Sequence, residues 1–188
     1  MVIAPSVKQD LLAAIPPLRA FAISLAGSPD RADDLVQETL VKAWTNLASY
    51  RPGTNLRAWL FTILRNEFYS QYRKKKREVE DVDDRIAGRL ATAPDQFSHL
   101  EFEDFRLALQ QLRPDQREAL ILIGGTGLSY EETADVCGCA VGTIKSRVNR
   151  ARARLAQILG FEDSDDFCTE PQWRGTISTN LSRMITAD

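Results

Sequence analysis

Residues 141–159 read VGTIKSRVNRARARLAQIL, and this stretch decides the fold because its two faces carry opposite chemistry. Val141, Ile144, Val148, Ala151, Leu155 and Ile158 recur every three or four residues, the stripe that a helix buries. Lys145, Arg147, Arg150, Arg152 and Arg154 are cations with no carboxylate among them. One face suits a core and the other suits phosphates. Just upstream, Ser129, Tyr130, Glu131 and Glu132 spell a capping box, with the Ser129 hydroxyl placed to accept from the Glu132 amide and the Glu132 carboxylate placed to reach back. A short helix is therefore expected from Tyr130, stopping near Gly138, the residue type that tolerates a left-handed cap. Cys139 and Ala140 make a tight connection into the basic helix. A basic amphipathic helix alone is more often a solvated face. The short capped helix and turn in front of it turn the pattern into a helix-turn-helix with the basic helix in the reading position.

The chain of 188 residues holds 24 Lys and Arg against 26 Asp and Glu, and 44% of its residues are hydrophobic, an ordinary globular composition. A net charge of −2 argues against a polyanionic partner until the charges are counted by segment. Residues 1–77 carry 12 cations and 6 anions, 78–104 carry 2 and 9, 105–160 carry 8 and 5, and 161–188 carry 2 and 6. Two basic blocks alternate with two acidic ones, so the overall charge hides a local polarity suited to nucleic acid. Cys137, Cys139 and Cys168 are too few for a disulfide framework, and with His99 the single histidine a zinc site lacks ligands. No apolar run approaches a membrane span, and a soluble, cytoplasmic protein with reduced thiols and no membrane partner is expected.

The periodicity predicts an all-α chain of two small helical domains, residues 9–77 and 101–160, joined by an acidic linker at 78–100 and followed by an acidic, disordered tail at 161–188. In the first domain a helix opens at Ser28 with Pro29 in its first turn and Asp30, Asp33 and Asp34 near its positive end. Its apolar stripe is Ala32, Leu35, Val36, Leu40, Ala43, Trp44 and Leu47. Residues 51–53, ArgProGly, break the chain, and Asn55 is placed to cap a helix from Leu56 to about Lys76. Leu56, Trp59, Leu60, Ile63 and Leu64 supply its core face. Arg57, Phe61, Arg65, Tyr69 and Arg73 recur every fourth residue and define a second face where rings interleave with cations. That mixture suits a single strand, with guanidinium groups on the backbone and rings for stacking. The helix ends in the run Arg73 to Arg77, whose plainer reading is a solvated charge cluster.

Four motifs in this arrangement resemble the extracytoplasmic-function class of bacterial RNA polymerase sigma factors, of the sigma-70 family. They are DLVQETLVKAW at 34–44, LRAWLFTILRNEFYSQ at 56–71, LRPDQREALIL at 112–122 and LSYEETADVCGCAVGTIKSRVNRARARL at 128–155. The wording of the second and fourth is similar to the EcfG-type general stress sigma factors of alphaproteobacteria. The resemblance, over residues 9–160, implies sigma region 2 in the first domain and region 4 in the second. It implies that Asp34, Gln37 and Glu38 dock on the clamp of the largest subunit of core RNA polymerase. It implies capture of a flipped base of the minus-10 element by the loop at 49–55, with Tyr50, Arg51 and Asn55, together with Asn66, and the cation-lined face adds Arg57, Arg65, Tyr69 and Arg73 as candidate contacts to the same strand. It further implies that Thr143, Lys145, Ser146, Arg147, Asn149, Arg150 and Arg152 meet the minus-35 element in the major groove, Thr143 and Arg152 on the backbone. These residue types suit the task, since Arg and Lys bond guanine, Asn bonds adenine, and an extracted base needs replacement stacking and edge hydrogen bonds. A capping residue is implied at the position of Cys139. The EcfG likeness implies a soluble anti-sigma factor of the NepR type, removed by a PhyR-type response regulator.

The function expected is therefore a dissociable promoter-specificity subunit, with promoter DNA and core polymerase as partners and no cofactor, metal or reaction of its own. Pairing of the acidic linker with the basic faces would suppress DNA binding by the free chain. A sigma-like decoy would need neither phosphate ligands nor a base pocket, and a plain helix-turn-helix repressor would leave the first domain unexplained. An enzyme is the weakest reading: Asp33, Asp34 and Glu38 are better explained by the helix dipole, and no nucleophile with a base accompanies them.

Overall fold

The computed structural model describes residues 5–51, 53–79, 98–160, 174–175 and 177–179. Among them every regular element is helical: α1 (Pro5–Ala26), α2 (Pro29–Thr45), a 3-10 turn at Leu47–Ser49, α3 (Leu56–Val79), α4 (Ser98–Gln110), α5 (Pro114–Gly124), α6 (Tyr130–Cys137) and α7 (Val141–Leu159). The chain divides into two compact units, residues 1–91 and 92–188. The expected linker is narrower than its composition implied, because α3 runs on to Val79 and α4 starts at Ser98. Residues 80–97 lie outside the described residues, and so does the proposed pairing of their carboxylates.

In the first unit α1, α2 and α3 pack on one another. Leu18, Phe21, Leu35, Leu60, Phe61 and Leu64 are almost wholly removed from solvent, each contributing about 1.5–3 kcal/mol of transfer free energy. Ser28 takes the extended backbone of an N-cap and Pro29 opens α2, though the Ser28 hydroxyl makes no capping hydrogen bond. Asn55 caps α3 as expected, its side-chain oxygen accepting from the amides of Arg57 at 3.0 Å and Ala58 at 3.3 Å. A fork between α1 and α2, Arg19 Nε to Asp33 Oδ1 at 2.7 Å and Nη2 to Oδ2 at 3.3 Å, fixes their relative height.

Two sequence assignments are corrected here. Trp44, assigned to the buried stripe of α2, is 57% exposed. Phe61, assigned to the cation-lined face of α3, is buried and meets Phe21 edge-on at 5.4 Å. Periodicity tells which residues share a face but not how far neighbouring helices cover it. Thr39, which no apolar count includes, is fully buried because its hydroxyl donates to the Leu35 carbonyl at 2.7 Å.

In the second unit α7 packs on α4, α5 and α6, and Ile144, Val148, Ala151 and Leu155 are fully buried along it. The capping box is present: the Glu132 amide donates to Ser129 Oγ at 3.0 Å, and the Ser129 amide donates to Glu132 Oε2 at 2.8 Å. Gly138 ends α6 at φ 64° and ψ 42°, its N–H reaching the carbonyls of Ala134 and Asp135. The first residue before α7 is Ala140, which has no side-chain cap to offer. Of the tail expected to be disordered at 161–188, residues 174–175 and 177–179 are described. They are helical, and Ile177 is wholly buried. Trp173, Ile177, Leu181 and Ile185 recur every fourth residue in the sequence, a helical period that the acidic composition of the tail outweighed. Trp173 and the rest of the tail lie outside the described residues.

Candidate nucleic-acid interfaces

The end of α2, the 3-10 turn and α3 enclose an open cleft of about 480 Å³, bordered by Lys42, Asn46, Ser49, Trp59, Asn66, Glu67 and Arg73 among others. A second cleft of about 350 Å³ on α3 is lined by Arg65, Asn66, Tyr69 and Arg73. Asn66 and Arg73 border both and are exposed. The i, i+3, i+4 spacing of α3 is what lines these four side chains up. The fold thus brings together Arg65, Asn66, Tyr69 and Arg73.

The other expected contacts of this unit are placed differently. Tyr50 donates its hydroxyl to the Thr54 carbonyl at 2.6 Å and tilts its ring against Trp59, centroids 5.4 Å apart. Tyr50 lines neither cleft and packs instead behind Trp59, which lines the first. The loop needs Gly53, which sits at φ 89°. Asn55 spends its side-chain oxygen on the α3 cap, and the exposed Arg51 and Arg57 line neither cleft. Pro52 lies outside the described residues.

Sequence reasoning missed the acid–base pair beside Asn66. Lys42 of α2 forms an ion pair with Glu67 of α3 and lies 3.6 Å from Glu38, while Gln71 donates to Glu67 Oε1 at 2.8 Å. Burial pushes the Glu67 carboxyl up, but the hydrogen bonds from Lys42 and Gln71 outweigh it and hold the group below its usual range. The hydrogen bond to Glu67 raises the Lys42 ammonium above its ordinary value. Neutralised in this way, Glu67 presents less repulsion to a polyanion than a free carboxylate would. Trp59 and Ile63, assigned to the core, are half-buried and line the first cleft.

On the outer face of α2, Asp34, Gln37 and Glu38 are all exposed. Val41 and Trp44, 61% and 57% exposed, continue that face at helical spacing. The polar docking face expected from the sequence therefore has an apolar extension.

In the second unit Thr143, Lys145, Asn149 and Arg150 are exposed on α7, and Ser146 turns its hydroxyl back to the Thr143 carbonyl at 2.9 Å. The Lys145 ammonium stands 6.0 Å from the Tyr130 ring centroid. Arg147 is engaged inside the unit: Nε meets Asp115 Oδ2 of α5 at 3.3 Å, and Nη1 donates to Cys139 Sγ at 3.7 Å. The position expected to carry a cap thus supplies a sulfur acceptor. Arg152, expected on the phosphate backbone, is buried, only 7% exposed. It follows Ala151 among the buried residues of α7.

Comparison with known proteins decides what these surfaces belong to. The family model described as Sigma-70 region 2 matches residues 12–78, and that described as Sigma-70, region 4 matches residues 102–155. The extracytoplasmic-function RNA polymerase sigma factor EcfG of Rhodopseudomonas palustris is 58% identical over 96% of this chain and 99% of its own length. This chain is an extracytoplasmic-function sigma factor. Such factors bind core RNA polymerase and direct promoter-specific initiation of transcription; they are not enzymes. Among solved structures, the sigma factor RpoE in complex with the anti-sigma factor NepR from Bartonella quintana superposes with a TM-score of 0.78 and 56% identity, over 85% of this chain and all of that one. CnrH in complex with the cytosolic domain of CnrY matches at 0.57 and 30% identity over 84% and 86% of the two chains. In the sigma factor, α1 to α3 are the region 2 helices and α4 to α7 the region 4 helices. Among the described residues no helix is long and apolar enough to cross a membrane, and no group of three metal-ligating side chains comes together.

Proposed function

We propose that region 2 of this sigma factor captures an unpaired base of the minus-10 element in the clefts around Asn66, and that region 4 reads duplex minus-35 DNA with the outward face of α7. The observation that carries the first half is the convergence of Asn66, Arg65, Tyr69 and Arg73 on one exposed cleft, which offers edge hydrogen bonds, a ring and two guanidinium groups. For the second half, Lys145, Ser146, Asn149 and Arg150 reach the DNA, with Thr143 on the backbone. Tyr50, Arg51, Asn55 and Arg57 shape or flank the region 2 site, and Asp34, Gln37 and Glu38 dock on the clamp of the polymerase.

Run-off transcription with purified core enzyme on a promoter library tests this assignment. Asn66→Ala should abolish discrimination at the downstream element and leave the upstream one intact, and Lys145→Ala should do the reverse. Equal loss at both elements for either variant would refute the division of labour.

We further propose control by a soluble anti-sigma factor of the NepR type, itself removed by a PhyR-type regulator, with general stress genes as targets in the cytoplasm. The support is the 56% identity to a sigma factor solved with NepR. Co-purification should yield a small helical inhibitor that blocks core binding; capture of a membrane-anchored one instead would overturn this reading.

A further inference from the structure

One wall of the first cleft is an ion pair rather than a neutral polar surface. Lys42 of α2 and Glu67 of α3 both line it, alongside Asn66. An ammonium has three donors and a carboxylate about four acceptor sites. Lys42 gives one hydrogen bond to Glu67, and Glu67 accepts a further one from Gln71 at 2.8 Å, so each group keeps capacity for a ligand. On the same rim Asn46 and Ser49 turn their donors to the main-chain carbonyls of Lys42 at 2.9 Å and Asn46 at 2.7 Å. The Glu67 side chain is 12% exposed, so a ligand reaches it only from inside the cleft. Its carboxyl is held below the usual range by Lys42 and Gln71, and the ionised group accepts hydrogen bonds without donating any.

We infer that the Lys42–Glu67 pair sets which base the cleft admits, accepting bases that carry an exocyclic amine and rejecting thymine. This selectivity rests on the reading that the cleft receives an unpaired minus-10 base. Adenine and cytosine each place an amine beside a ring-nitrogen acceptor, so the amine donates to Glu67 while Lys42 donates to the ring nitrogen. Guanine offers its amine and N1–H to the carboxylate and its O6 to the ammonium. Thymine has no amine. Its N3–H lies between two carbonyl oxygens, and a carboxylate that accepts from it meets their repulsion. Asn66 cannot make this distinction alone, because a side-chain amide presents a donor or an acceptor by turning over. A pair that only clamped α2 to α3 would be indifferent to the base.

The test uses the full chain bound to core polymerase and a labelled single strand enriched from a randomised DNA pool by the wild-type holoenzyme. The cleft nucleotide is the one whose replacement by an abasic residue erases the effect of Asn66→Ala. With each base in turn placed there, wild type should bind thymine on the order of tenfold more weakly than the best of the others. Glu67→Gln keeps the size of the side chain but lets it donate to a carbonyl, and should remove most of that penalty. Each ratio is taken within one variant, so a change in the folded fraction cancels. Thymine bound as well as the other bases by wild type overturns the selectivity, as does a thymine penalty that survives Glu67→Gln. If Asn66→Ala acts at a single nucleotide and thymine is accepted there, the cleft reading stands and the selectivity fails; if no nucleotide answers to Asn66→Ala, both fail.

Discussion

Arg147 shows how one residue changes role once its neighbours are known. Its place among the cations of α7 marks it for DNA, yet its guanidinium is held between Asp115 and Cys139. Such a fork positions the start of the recognition helix against α5. Asp115→Ala should therefore weaken minus-35 duplex binding nearly as much as Arg147→Ala, and the double variant should lose no more than either alone. Anisotropy titrations of holoenzyme on duplex DNA decide the point; additive losses would return Arg147 to direct readout. The Lys42–Glu67 pair makes a second prediction at this scale. Because the folded Glu67 carboxyl is held below its unfolded value, its contribution is full above about pH 4.3 and fades as the pH falls through the folded value. Lys42 is raised, so its share is full below about pH 10.4 and is lost only as the pH climbs through its folded value. With Lys42 43% exposed, the whole effect is roughly 0.2–1 kcal/mol. Glu67→Gln should melt earlier than wild type at neutral pH, and the two should converge on acidification in thermal melts.

At the scale of the element, α6 is set by its ends. Ser129→Ala removes one half of the capping box and should cost about 1 kcal/mol. Gly138→Ala places a Cβ in the left-handed region at φ 64°, a cost of about 1–2 kcal/mol. The buried stripe of α7 is worth more: Leu155→Ala, at a site with no exposure, should cost about 2–5 kcal/mol. Chemical denaturation of the isolated chain ranks the three, and a Leu155→Ala loss smaller than that of Ser129→Ala would contradict the packing described. These features were legible beforehand because caps and stripes are local patterns within a few residues of one another. Trp44, Phe61 and Arg152 were misplaced because each sits at the margin of a stripe, where burial depends on which neighbouring helix lies across it.

For the molecule as a whole, alternating charge blocks predict salt-sensitive DNA binding despite the net charge of −2. If Arg150 neutralises a phosphate, its replacement by Ala should lower the slope of log affinity against log salt by about 1. Arg152→Ala should leave that slope alone and lower stability instead, since its side chain is buried. A full drop in slope for Arg152→Ala would put it back on the DNA. The Asn66 cleft illustrates the limit of pattern reading at this scale. Asn66, Arg65, Tyr69 and Arg73 share one helix and their grouping follows from its period, whereas Lys42 and Glu67, 25 residues apart, meet only because α2 packs on α3.

The order of amino acids alone determined that this chain is all helical, that two basic segments flank an acidic one, and where the caps of α3 and α6 fall. Those properties come from hydrophobic period, charge count and side-chain to backbone bonds over three or four residues, which need no third dimension. Only the tertiary structure decided which cations face outward, which aromatic rings remain uncovered, that Ile177 is buried, and that Arg147 braces α7 rather than standing free. Burial and ion pairing depend on which distant surface arrives opposite a side chain, and helix packing supplies that surface.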